Sequence, residues 1–197
     1  MAIFASRVTA LAGAAAISAS AANAQLAELV IIDLTVVDQL TVIATSGASA
    51  ATVSGSDTTG IYLENFYSVS GNGFTDAAGT GDFTNFLNPS DGSPGIFRAM
   101  PGDDLGFNIW TWSSDFSVDF VVGTQAFTGT ATFSLDPAVY ADAIADGNRS
   151  GNLWFPADTN DDLAGATLIG SYSVRVPAPA SAALLGFGGL AAARRRR

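Results

Sequence analysis

An antiparallel all-β domain is the fold that the middle of this chain predicts, and three observations carry the prediction. Short runs of Val, Ile, Thr, Leu and Phe are broken at frequent intervals by Gly, Ser, Asn and Asp, which favour turns. Two runs alternate cleanly. Phe116, Val118, Phe120 and Val122 oppose Ser117 and Asp119, and Phe127, Ala131, Phe133 and Leu135 oppose Thr128, Thr130, Thr132 and Ser134. Such patterning means one buried face and one wet face. Between two unusual ends lie roughly 150 residues, the size of one domain with a real core. The expected architecture over residues 25–175 is a two-sheet β-sandwich of about nine strands, with a jelly roll as the competing arrangement.

Taken in order, Leu29 to Thr45 is dense in residues that fit a pleated surface and predicts two strands broken near Asp38-Gln39. Residues 46–59 read as a Gly/Ser/Ala/Thr loop with a short strand around Thr52 to Ser54. Ile61 to Val69 alternates, placing Ile61, Leu63 and Tyr67 on one side. From Gly71 to Ser93 turn residues outnumber apolar ones, and no element is assigned. Strands are expected at Gly95 to Met100 and Leu105 to Ser113, then through the two alternating runs. One helix interrupts. Asp136 can cap its first free N–H groups, Pro137 fits its first position, and Gly147 is expected to end it in the left-handed conformation. Its apolar stripe is Val139, Tyr140, Ala143 and Ile144. Strands follow at Gly151 to Phe155 and Ala166 to Val176, the latter with Leu168, Tyr172 and Val174 on one face.

Composition narrows the chemistry. The chain has no His and no Cys, and all eight basic residues are Arg, so Ser-His or Cys-His nucleophiles, thiolates, Schiff bases and Walker-type lysines are excluded. No disulfide can staple the fold, so stability must come from packing. All eighteen acids lie between Glu28 and Asp162, against Arg98, Arg149 and Arg175, which gives residues 25–175 a net charge of −15. Such a surface repels nucleic acid and anionic lipid and suits solubility or divalent cations.

Three candidate constellations remain. Asp103, Asp104, Asp115, Asp119, Glu64 and the Asp158 to Asp162 cluster contain the carboxylates a glycosidase would need, although solvated turn aspartates are the simpler reading. Asp158, Asn160 and Asp162 resemble the opening of a calcium loop, and a weak calcium site is weighed against an acidic turn. Leu163 stands where that loop needs Gly, and Ile169 where it needs a bidentate Glu. Trp110, Trp112, Trp154 and Phe155 are the aromatics able to stack on sugar rings. Trp110 and Trp112 share a strand face opposite Phe107 and Ile109, beside Asn108 and Ser114, and form the candidate sugar contact; core packing is the alternative. Asn148-Arg149-Ser150 matches the short N-glycosylation triplet.

The two ends carry addresses. Arg7 precedes a weakly apolar stretch from Val8 to Ala22, and small residues at Ala22 and Ala24 predict signal-peptidase cleavage before Gln25, making residues 1–24 a signal peptide. At the other end, Val176-Pro177-Ala178-Pro179-Ala180-Ser181 leads into an uncharged apolar run and then Arg194, Arg195, Arg196 and Arg197. Fourteen residues from Ala180 to Ala193 make about 21 Å of helix, short of a ~30 Å hydrocarbon layer, which suits transient anchoring with the arginines held on the cytoplasmic side.

The tail over residues 176–197 resembles the PEP-CTERM sorting signal of Gram-negative bacteria, nearest to the variant whose motif reads Val-Pro-Leu-Pro-Ala. Ala178 stands where the family usually has Glu between the prolines. The resemblance implies recognition by an exosortase, a membrane-embedded transpeptidase-like enzyme, transient attachment to the inner membrane, removal of the tail, and delivery to the cell surface or the exopolysaccharide matrix. The expected function is therefore a non-enzymatic structural or adhesive role there, with no cofactor beyond a weak calcium site. A lectin-like module using Trp110 and Trp112 and a carboxylate glycosidase are the alternatives.

Overall fold

A run of β-branched and apolar residues opens the folded body. β1 (Glu28–Asp33) and β2 (Gln39–Ala44) pair antiparallel. Asp38, at φ 58, closes the turn between them in a left-handed conformation that Asp tolerates better than most residues. The computed structural model describes residues 26–55, 60–69, 74–76, 79–83, 95–98, 105–110, 118–157 and 163–178. Both ends of the chain, and with them the signal-peptide and sorting-tail residues other than Val176 to Ala178, lie outside that set.

Ten further strands follow: β3 (Val53–Gly55), β4 (Gly60–Leu63), β5 (Phe74–Asp76), β6 (Thr80–Gly81), β7 (Ile96–Arg98), β8 (Phe107–Trp110), β9 (Val118–Phe120), β10 (Thr130–Ser134), then, after the helix α1 (Pro137–Asp146), β11 (Ser150–Ala157) and β12 (Thr167–Arg175). Among the described residues the fold is all-β with one short helix, as predicted. It holds two sheets of unequal size, one of ten strands in the order β5-β7-β8-β4-β11-β12-β1-β2-β10-β6 and one pairing β3 with β9. All pairings are antiparallel except β1 with β12, which run parallel, so the first and last strands are neighbours near the middle of the sheet.

Connectivity forces the large sheet to roll. Laid flat, ten strands would spread their outer edges about 43 Å apart, at ~4.8 Å per pairing. Yet the edge strands β5 and β6 are joined by residues 77–79 alone. Four Cα steps span at most about 14 Å. The edges therefore approach each other, and the inner face closes on itself. That face carries Val30, Ile32, Leu40, Val42, Ile61, Leu63, Ile96, Phe107, Ile109, Ala131, Phe133 and Leu153, all buried.

Each end of the roll is plugged differently. At the end where β1 and β12 finish, α1 buries Val139, Tyr140 and Ala143, and the Tyr140 hydroxyl donates to Leu34 O at 2.8 Å. Arg98 lies 2% exposed there, its guanidinium 3.5 Å from the centre of the Tyr67 ring, with Nη2 donating to Val69 O at 3.1 Å. At the opposite end β9 brings Phe120 against Phe127 and Phe155, with centroids 5.2 and 4.8 Å away, and Phe83 stacks on Phe127 at 5.0 Å.

Four local expectations are corrected. β4 stops at Leu63 rather than continuing to Val69, because Asn65 turns the chain at φ 53 and both Phe66 and Tyr67 are then buried. Val122 does not join Phe120 inside; β9 ends at Phe120, the chain turns, and Val122 is 58% exposed. Gly147 ends the helix in extended backbone, φ −70 and ψ 131, rather than left-handed; Gly is needed there because a Cβ would sit 2.2 Å from Ala143 O. In β12 the pairing with β11 skips Ile169, so Ile169 takes the buried place expected of Leu168. Where no element was assigned, β5 and β6 supply the two edges.

Candidate functional site

β11 from Asn152 to Ala157 and β12 from Gly170 to Val174 alternate between buried and half-buried residues, and near Ser150 and Ser173 what they turn away from the core is polar. Inward go Leu153, Phe155, Tyr172 and Val174. On the outer wall Ser150 pairs across the strands with Ser173, and Asn152 with Ser171. Ser171 is in turn opposite Glu28 on β1, and Glu64, just past β4, donates its N–H to Asn152 O at 3.0 Å. Register thus lays Glu28, Ser171, Asn152 and Glu64 in one row across four adjacent strands or strand ends.

Hydrogen bonds hold one end of that row. Glu64 Oε2 accepts from Asn152 Nδ2 at 2.9 Å and from Trp154 Nε1 at 2.8 Å. Bonds to an ionised acceptor are about twice as strong as neutral ones, so the carboxylate and the indole fix each other's orientation. Beneath them the Tyr172 hydroxyl donates to the Glu64 carbonyl at 2.9 Å. Gly151 makes room for it, since a Cβ at that position would meet the Tyr172 hydroxyl and Glu64 O, each at 2.5 Å. Burial first, and the nearby Glu64 charge second, hold the Tyr172 phenol well above its ordinary range, so it keeps its proton at pH values where a free phenol ionises.

A cavity of about 410 Å³ lies over this wall, lined by Glu28, Ser150, Asn152, Ser171, Tyr172 and Ser173 among others. That volume falls within the range of about 300–1,000 Å³ typical of small-molecule clefts. Serine hydroxyls, an amide and a carboxylate line it alongside Leu26, Gly151 and Tyr172, so polar and apolar surface both face the cavity. Ser171 Oγ donates to Ala27 O at 3.1 Å, which ties the start of β1 to the floor. Chemically the wall can accept and donate many hydrogen bonds at once.

The sequence-derived candidates fare unevenly. Trp112, the side chain of Trp110 and the calcium candidates Asp158, Asn160 and Asp162 lie outside the described residues, as do Asp103, Asp104 and Asp115. Among the described residues no three His, Cys, Asp or Glu side chains gather as metal ligands. Asn108, expected beside an exposed tryptophan pair, is fully buried; its Nδ2 donates to Ala157 O at 3.3 Å, and its Oδ1 has no partner among the described residues. Phe155 is core, against Phe120, so it cannot share a platform with its neighbour Trp154. Asn148 Nδ2 is engaged with Asn65 O at 2.6 Å. Trp154 and Glu64 do meet.

Sequence reasoning missed Glu28, Asn152, Ser171 and Ser173, and noted Ser150 only within the glycosylation triplet. One signal was available: of eighteen acidic residues only Glu28 and Glu64 are glutamates, and the fold brings both to this wall. No protein-family model, curated protein or solved structure matches the chain.

Proposed function

We propose that the chain is an exported protein, sorted by its C-terminal tail to the cell surface or the extracellular matrix of a Gram-negative bacterium, where it acts as a structural or adhesive, non-enzymatic component. The observation that carries this reading is the paired addresses in the sequence, a cleavable leader ending at Ala24 and a Pro-x-Pro motif, apolar run and arginine cluster from Val176 to Arg197. The body fits such a cargo. Because β1 and β12 lie parallel, the leader joins at one end of the roll and the tail departs from the other. Pro177 and Ala178, the start of the motif, are exposed immediately after β12 ends, so a processing enzyme can reach them without opening the core. Among the described residues no helix is long and apolar enough to cross a membrane.

Signal peptidase and an exosortase are the partners during export; extracellular polysaccharide is the partner afterwards. Mass spectrometry of both termini on material recovered from the cell surface tests the reading. The expected result is an N-terminus at Gln25 and loss of the tail within or after the 176–181 motif. Full-length polypeptide from Met1 to Arg197 dissolved in the cytosol would overturn it.

A further inference from the structure

We propose that the outer wall formed by β1, β12, β11 and the turn after β4 is a binding groove for a neutral polysaccharide, with Glu64, Asn152 and Trp154 at one rim and Glu28 at the other. The inference rests on the matrix reading for its setting and on the wall's own chemistry for its ligand.

Hydroxyl density is the first reason. A sugar ring presents several hydroxyls on neighbouring carbons, and it is held by acceptors that take two of them together. Glu28 is such an acceptor and Glu64 adds Oε1; Ser171 and Asn152 lie between them at strand spacing, and Ser173 and Ser150 form the next row. Preorganisation is the second. Glu64 is already held through Oε2 by Asn152 and Trp154, so Oε1 can receive a ligand hydroxyl without first ordering the side chain. The same bond fixes the half-buried Trp154 indole, whose π-face suits the C–H face of a sugar.

Charge selects within the sugars. Two carboxylates on the wall and a net charge of −15 over residues 25–175 repel uronates, sulfates and phosphates, leaving uncharged polymers. Geometry selects a polymer over a single sugar. Glu28 and Ser150 are exposed, so the cavity opens outward, and the row crosses four strands, about 14 Å between its end Cα atoms. A chain of linked rings can lie along such a row.

The test is affinity electrophoresis of the full chain, in mild detergent, through gels carrying a soluble glucan, a mannan, a galactan or a polyuronate. At least one neutral polymer should retard the protein, and the polyuronate should not. Ser173→Tyr, which fills the cavity from the solvent side, should abolish retardation. Glu64→Gln, which can keep both rim bonds while losing the charge-assisted acceptor, should weaken it about tenfold. Should Ser173→Tyr fail to fold, as judged by circular dichroism, Glu64→Gln decides alone. The groove is refuted if no neutral polymer retards the wild type, if neither variant weakens binding, or if Trp112→Ala alone removes it. None of these outcomes depends on where the cell delivers the protein, so failure of the groove and failure of the sorting reading are separable.

Discussion

The two sides of β11 have opposite physics within a single strand. Its inner side sends Leu153, Phe155 and Ala157 into a core where each is at most 3% exposed. Its outer side sends Ser150, Asn152 and Trp154 to a wall held by hydrogen bonds to one carboxylate. The inner side is governed by area removed from water, which is non-directional and tolerant of which apolar residue supplies it. The outer side is governed by direction, since a carboxylate that orients an indole must sit within 3 Å of it. Stability should therefore respond to substitutions inside, and recognition to substitutions outside.

The inner side breaks most severely at Phe155. Its ring contacts Phe120 at 4.8 Å and is fully buried, so Phe155→Ala should cost about 3–5 kcal/mol, read from denaturant unfolding. A loss under about 1 kcal/mol would mean the β3–β9 plug does not depend on it.

Gly151 lies where the two sides meet. Gly151→Ala places a methyl against the Tyr172 hydroxyl and the Glu64 carbonyl, both 2.5 Å away, and should destabilise by about 1–3 kcal/mol through overpacking. Rescue by the double variant Gly151→Ala/Tyr172→Phe would be partial, because the backbone carbonyl remains.

Tyr172→Phe sharpens the contrast through pH. It loses one hydrogen bond, about 1 kcal/mol near neutrality. The Tyr172 phenol is raised in the folded state by burial and then by Glu64, so its contribution is fully present below the unfolded value of about 10 and is lost as pH rises above it. Denaturation midpoints of the wild type should fall between pH 9 and 11, and those of Tyr172→Phe should fall less. Some slope should persist, because burial also raises the Tyr140 phenol.

The smallest stability effect is expected on the outer wall itself. Ser173 is half-buried over the cavity, and Ser173→Tyr should change unfolding free energy by no more than about 0.5 kcal/mol. A large loss would show that this wall is packed as core and would erase the distinction between the two sides.

Alternation made the inner side legible in advance. Phe127, Ala131, Phe133 and Leu135 were assigned inward from period two alone and are buried. The helix start was equally legible, with Asp136 Oδ1 accepting from Ala138 N at 2.8 Å and Pro137 at the first position. The wall was not. Glu28, Asn152 and Ser171 stand far apart in sequence, and none belongs to a spacing motif. Trp154 and Phe155 both qualify in sequence as aromatics able to stack on sugar, whereas a strand sends adjacent side chains to opposite faces. Gly147 was misread because its glycine answers a close approach from Ala143 O, a tertiary fact, rather than a left-handed turn.

Local patterning by itself determined the all-β class, the helix after Asp136 and its cap, the inward face of the strand around Ala131 to Leu135, and the acidic, thiol-free chemistry. Each follows from residues a few positions apart, within reach of one strand or one helical turn. Only the tertiary structure decided that β1 and β12 lie side by side, that three residues draw the sheet's two edges together, and that the two glutamates flank one wall. Those are matters of register between distant strands, and register is set by the whole buried face closing at once rather than by any segment alone.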